Sequence, residues 1–317
     1  SDEQAFTCQA SWVKGQGEAV REFSAVAYQF AVMLQEKLQV PVGIIKTAYG
    51  GTRVEAWMDP ETIASLPQIV RLKESFAGDT VLSKHKPGVL YNAMIVPVLG
   101  YRIKGMLWYQ GESNKDKAEA YREWFTAFVK GWRKKWGQGH FPFYYAQIAP
   151  YKYNGKDLSA YLREAQLIAS RALANTGIVI TMDVGTQAII HPPDKTTVAA
   201  RFANWALNRQ YGYSTLPLRG PEYHSMKIKG QTATLRFRHT GGKLVAAGGE
   251  LKNFEIAGTD GVFYPARATI VSKDEVTVHS TRVSQPVAVR YAFKDWAMGD
   301  LFNEQGVPAS SFRTDSW

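Results

Sequence analysis

Three polar clusters, each directly after an apolar run, hold the side chains whose types and spacing could do chemistry. The first is Thr47-Ala48-Tyr49-Gly50-Gly51-Thr52-Arg53, followed by Glu55 and Trp57. Paired glycines after a strand permit a tight turn and leave backbone N–H groups free to face a developing oxyanion. Gly50, Gly51 and Arg53 are therefore candidates to meet a substrate, although Gly-Gly after a strand is also common as a plain turn. The second cluster is Trp108-Tyr109-Gln110-Gly111-Glu112-Ser113-Asn114. Gln110 could donate to an oxyanion, and Glu112 could orient an imidazole or bind a hydroxyl. Ser113 or Asn114 could equally cap a following helix. The third cluster is Asp183-Val184-Gly185 with Ile190-His191-Pro192. A histidine between a strand end and a helix, fixed by prolines, is well placed as a general base. His85, His140, His224, His239 and His279 lack that setting, and no pair has the spacing of zinc ligands.

Elements of alternating type are needed to bring these clusters together. Apolar positions Phe23, Val26, Ala27, Phe30, Met33 and Leu34 predict a helix over residues 23–38, followed by a short extended run over residues 42–47. Strands are then expected over residues 105–109, 141–148 and 177–183. Helices are expected over residues 117–136, 162–173 and 195–211. This rhythm is that of a parallel α/β sheet, whose functional groups gather beyond the carboxyl ends of the strands. After Tyr211 the pattern becomes short alternating runs parted by Gly-Gly and Asp-Gly turns, which predicts an antiparallel β domain. The domains are expected at residues 1–213 and 214–317.

Composition narrows the function classes. The 317 residues carry 38 Lys and Arg against 28 Asp and Glu, a formal charge of +10. The basic residues are scattered, with no block of five and no nucleic-acid module, so they read as a solvated surface compatible with an acidic sugar. Nine Trp and 16 Tyr suit either a sugar cleft or an aromatic core. Cys8 is the lone cysteine, so neither an intrachain disulfide nor a cysteine metal site is expected. No run approaches 18 apolar residues, so no membrane span is expected. Residues 1–4 show no export signal, which a mature secreted chain would already have lost.

Several ordered motifs together carry a resemblance. They are Gly50-Gly51-Thr52 with Glu55 and Trp57, Leu90-Tyr91-Asn92-Ala93-Met94-Ile95, Lys104-Gly105 with Trp108 to Asn114, Phe141-Pro142-Phe143-Tyr144, Arg163-Glu164-Ala165-Gln166 and Ile190-His191-Pro192. In this order they resemble the sialate O-acetylesterase family, serine hydrolases with an SGNH-type, flavodoxin-like catalytic domain. Phe263-Tyr264-Pro265-Ala266, the run Pro286 to Tyr291 and Phe312-Arg313-Thr314-Asp315 resemble that family's accessory β domain, of β-sandwich-like form. The resemblance implies a secreted or periplasmic enzyme that hydrolyses an O-acetyl ester on a carbohydrate without a metal or other cofactor. It makes His191 the general base, Gly51 an oxyanion donor through its N–H, Gln110 a side-chain donor and Glu112 part of the same site. Asn92 matches a position near the site.

Two departures from the family pattern shape the expectation. The family carries its nucleophile in a Gly-Gln-Ser-Asn-Met block on the first strand, and nothing between Ser1 and Gly50 matches it. The serine is therefore expected outside this chain, on a first strand that is lost, removed by processing or supplied by another polypeptide, and a companion N-terminal fragment would complete the sheet; Ser113 is the alternative within the chain. Relatives often place an Asp two residues before the histidine, where this chain has Ile189. Asp183, Glu112 or a Ser-His dyad without an acid remain as readings. A catalytically silent carbohydrate-binding or scaffold protein is the competing function.

Overall fold

The computed structural model describes residues 1–77 and 83–317. Helix α1 (Ala25–Leu38) starts where the Ser24 hydroxyl accepts from the Ala27 N–H, and it stops at Gln39 in the left-handed region. Two short helices, α2 (Pro60–Ala64) and α3 (Pro67–Glu74), each open on a proline, which suits a first turn where an N–H would have no partner. Strands β1 (Met106–Tyr109), β2 (Phe143–Ala146) and β3 (Thr176–Val179) then form a parallel sheet in that order, with Trp108 opposite Tyr145 and Tyr145 opposite Ile178. Helices α4 (Ala118–Trp136) and α5 (Leu158–Ala172) connect them, and α6 (Lys195–Tyr211) follows β3.

The period of two along β2 explains the layers. Phe143 and Tyr145 face a core shared with Tyr121, Phe125, Phe128 and Trp132 of α4, whereas Tyr144 and Ala146 face a second core with Phe30 and Leu34 of α1 and Val198 and Phe202 of α6. Trp57, Trp108, Trp124, Trp132, Trp136 and Trp205 are all buried. Six of the nine tryptophans thus pack the interior, which favours the core reading of the aromatic content over a sugar platform.

Residues 42–47 depart from the expected strand: they join no sheet. Val42 and Ile44 pack on the α1–α6 core, and Trp12 covers Gly43. An extended segment becomes a strand only when a neighbour accepts its N–H and C=O groups, and no described segment does so here. Among the described residues, the far side of β1 likewise pairs with no strand.

Beyond α6 the chain is antiparallel, as expected. One sheet has the order β4 (Glu222–Lys229), β5 (Thr232–Arg238), β10 (Glu275–His279) and β9 (Arg267–Ile270). A second has β13 (Phe312–Arg313), β11 (Ala288–Tyr291), β7 (Phe254–Ala257) and β8 (Phe263–Pro265), while β12 (Leu301–Asn303) pairs with β6 (Leu244–Ala246). Leu235 and Val276 of the first sheet share a core with Ile256 and Val289 of the second. The strands β6, β8, β12 and β13, of two or three residues, are too short for alternation to reveal.

The two parts are latched through α5. The fully buried Arg163 donates from Nε to Ser311 Oγ at 3.0 Å, from Nη1 to Ser159 Oγ and from Nη2 to the Lys294 carbonyl. Gln147 donates to Ser310 Oγ at 2.8 Å, so the end of β2 is tied to the same segment. No helix among the described residues is long and apolar enough to cross a membrane.

Candidate active site

At the carboxyl end of β1, Gln110 is the knot of a largely buried polar network. Its Nε2 donates to the Thr52 carbonyl at 3.0 Å and to Asn114 Oδ1 at 2.7 Å, while its Oε1 accepts from Tyr121 Oη at 3.0 Å. Its own carbonyl accepts from Gln166 Nε2 on α5. Asn114 Oδ1 also accepts the Val54 N–H, and Asn114 Nδ2 donates to Glu55 Oε2 at 2.8 Å. Buried polar groups favour partners, and most of these find them by joining the Gly-Gly loop to the end of β1. Gly111 is required between them: a Cβ would lie 2.5 Å from Ile148 Cγ2 and 2.9 Å from Gln166 Nε2.

The structure engages the Gln110 amide inside this network. Both of its amide hydrogens are spent within the network, so neither is free for an oxyanion. Gln110 positions the loops. The backbone of the Gly-Gly turn, by contrast, is exposed. Gly51 has φ +66°, a conformation that glycine adopts without strain, and no acceptor among the described residues takes its N–H. Beside it, Lys84 Nζ donates to the Gly50 carbonyl at 2.9 Å and lies over the Tyr49 ring. Arg53 pairs with Asp116 at 3.3 Å and is partly exposed.

Glu112 opens the short helical turn Glu112–Lys117. Burial pushes its carboxyl above the usual carboxylate range, while backbone N–H groups and the charges of His191 and Lys195 oppose that shift. His191 is exposed on the loop before α6, whose first turn is capped by Asp194 accepting the Thr197 N–H at 2.9 Å. The same first turn places Lys195 Nζ 5.6 Å from the centre of the Tyr109 ring, and burial lowers its pKa. His191, Lys195 and Glu112 thus form one electrostatic group at the strand ends.

Asp183 is engaged elsewhere. Its two oxygens accept from Arg201 Nη1 at 2.7 Å and Nη2 at 2.6 Å, and Arg201 Nη1 also bonds the Ile180 carbonyl. This fork ties α6 to the end of β3. Asn92 is likewise occupied: its Nδ2 donates to the carbonyls of Ser1 and Asp2, and its own carbonyl accepts the Ala5 N–H. Ser113 lies beside Glu112 and makes no hydrogen bond to His191.

Residues that sequence reasoning did not select are Lys195, Tyr121 and Tyr153. Lys195 is the first residue of α6, four positions after His191 in sequence, a nearness that could have drawn attention to it. Tyr153 has a buried, unpartnered hydroxyl raised by burial and by the charge of Glu112, and Lys115 lies over its ring at 5.2 Å. The sequence held no signal for Tyr153.

Residues 15–207 match the family model described as carbohydrate esterase, sialic acid-specific acetylesterase. The sialate O-acetylesterase of Pongo abelii is 30% identical over 297 residues, covering 86% of this chain and 56% of that protein. The Homo sapiens sialate O-acetylesterase is 29% identical over 300 residues with the same coverages. The chain therefore spans about half the length of these curated relatives. The crystal structure of a carbohydrate acetylesterase from Xanthomonas citri superposes with a TM-score of 0.89 at 35% identity, covering all of this chain and 71% of that one.

Proposed function

Because the chain belongs to the carbohydrate esterase family of sialic acid-specific acetylesterases, we propose that it forms the larger part of a serine esterase that removes O-acetyl groups from carbohydrates. The nucleophilic serine comes from a strand outside residues 1–317. The observation that carries this reading is that β1 pairs on one side only among the described residues, while residues 42–47 run without a ladder to the Gly-Gly turn. An unpaired edge and an unladdered segment are both relieved when one strand enters between them. The carboxyl end of that strand would then face Gly51, Glu112 and His191 together.

In the reaction, the serine oxygen attacks the acetyl carbonyl while His191 takes the hydroxyl proton. The Gly51 N–H holds the oxyanion. Collapse breaks the bond to the sugar oxygen, which receives the proton from His191, and water then releases acetate from the acyl-serine by the same steps. Glu112 is the group that stabilises the imidazolium; Asp183, bonded to Arg201, holds α6 in place. Arg53 and Gly50 line the approach to the oxyanion turn. Acetylated sialic acid or an acetylated plant polysaccharide is the substrate, encountered outside the cytoplasm.

Co-production of this chain with a segment carrying a Gly-Gln-Ser-Asn-Met block should yield acetate release from an acetylated sugar, and His191→Ala should abolish it. Unchanged turnover in that variant would sink the assignment. Sugar binding without hydrolysis in the co-produced complex would favour the silent scaffold.

A further inference from the structure

We propose that the seam between α5 and the β domain holds a second saccharide site, for a sugar residue that carries a carboxylate. The proposal rests on the reading above only for the carbohydrate nature of the ligand. A cavity of about 310 Å³ opens there, within the roughly 300–1,000 Å³ range of small-molecule sites.

Its floor is apolar, made by Leu167 and Ile168 of α5 and Ile178 of β3. One wall is the ring of Tyr223, stacked on Phe312 with centroids 5.1 Å apart and planes at 6°. The other lining is charged and planar. Glu164 grips Arg313, with Nε at 3.1 Å and Nη2 at 3.0 Å, and Glu222 pairs with Arg171 at 2.6 Å. Arg219 also lines the cavity, and it has no carboxylate within ion-pair distance among the described residues.

These features select one ligand chemistry. A pyranose offers C–H faces to apolar and aromatic surface and hydroxyl edges to planar carboxylates and guanidinia. An apolar ligand would leave the Arg219 guanidinium without a carboxylate, and a bare inorganic anion would leave the apolar floor wet. Arg171 and Arg313 are paired with Glu222 and Glu164, which leaves Arg219 as the lining guanidinium without a carboxylate and one negative charge on the ligand to meet it. The site stands apart from His191 and Glu112. α5 turns Gln166 toward Gln110 and Glu164 toward the cavity. A polysaccharide held at the seam would raise the effective concentration of its acetylated units at the catalytic residues.

Calorimetric titration of the chain with three probes tests this: a xylotriose bearing one glucuronic acid, 3′-sialyllactose and neutral xylotetraose. Saturable binding of a carboxylated probe is expected, with the neutral sugar weaker by about tenfold or more, or a loss of about 1.4 kcal/mol. The acidic probe that binds identifies the source, uronic or sialic. Arg219→Gln should weaken it by a similar factor, and Glu112→Gln should leave it unchanged. Amide exchange in the unaltered chain should slow at residues 219–224 and 310–313 on binding, a readout that stands if the Arg219 variant fails to fold. No saturation with either acidic probe, equal binding of the neutral sugar, insensitivity to a folded Arg219→Gln, loss in Glu112→Gln, or exchange unchanged at the seam would each overturn the proposal. Acetate release plays no part in these readings, so loss of the esterase reading alone would leave them intact.

Discussion

The Gln110 side chain donates to the Thr52 carbonyl at 3.0 Å, so the Gly-Gly loop is pinned to the end of β1 although no ladder joins the segments leading to them. The Gly-Gly turn is held from the side, by a relay from Tyr121 through Gln110 and Asn114 to Glu55.

Gln110→Ala should therefore act on the loops. It leaves the Thr52 carbonyl and Tyr121 hydroxyl without partners, at a cost of about 1–3 kcal/mol for a buried group. Urea unfolding should show that loss, and turnover of the completed enzyme should fall with it. Gln110→Glu, which keeps the shape but lacks the amide donors, should do no better.

Gly50 and Gly51 should respond differently to a methyl group. Gly50 has open space around its Cβ position, so Gly50→Ala should be nearly neutral in stability. Gly51 sits at φ +66°, where an L residue costs roughly 1–2 kcal/mol. Gly51→Ala should lower both melting temperature and kcat, and equal behaviour of the two variants would remove Gly51 from the oxyanion role.

Asp183→Asn and Glu112→Gln separate the two carboxylates proposed from the sequence. Breaking the partly buried Arg201 fork should cost about 1–3 kcal/mol of stability with a modest change in kcat. Glu112→Gln should spare stability and cut kcat by about tenfold or more, the loss of an imidazolium partner. The opposite pattern would make Asp183 the triad acid.

Glu55 gives the fold a pH dependence. Its carboxyl is buried with Oε1 unpartnered, and burial raises its pKa against the hydrogen bond from Asn114. The folded state holds this proton more tightly than the unfolded chain does. The stabilising contribution is thus full below the unfolded carboxyl pKa and is lost as pH rises through the folded value. Urea titrations between pH 4 and 8 should show Glu55→Gln removing that decline, with its largest relative gain at the alkaline end.

Much of the catalytic part was legible from local patterns. The three strands and α4, α5 and α6 follow from apolar periodicity, and Asp194 marks the start of α6 by a capping interaction only three residues long. What escaped depends on partners far away in sequence. Gln110 reads as a free donor until Thr52, 58 residues distant, takes one of its hydrogens. Asp183 is one of three readings for the triad acid in the sequence, and its fork with Arg201 on the next helix is a pairing the sequence does not announce. Asn92 meets residues 1–5, a pairing that no spacing rule announces. Residues 42–47 show the same limit for a whole element, since β-propensity becomes a strand only beside an available edge.

Amide exchange at that edge tests the central claim most directly. A peptide carrying the Gly-Gln-Ser-Asn-Met block within an apolar strand should, when mixed with this chain, slow exchange across residues 42–47 and at those amides of Met106–Tyr109 that are not bonded to β2. Unchanged exchange at both segments under saturating peptide would contradict the account.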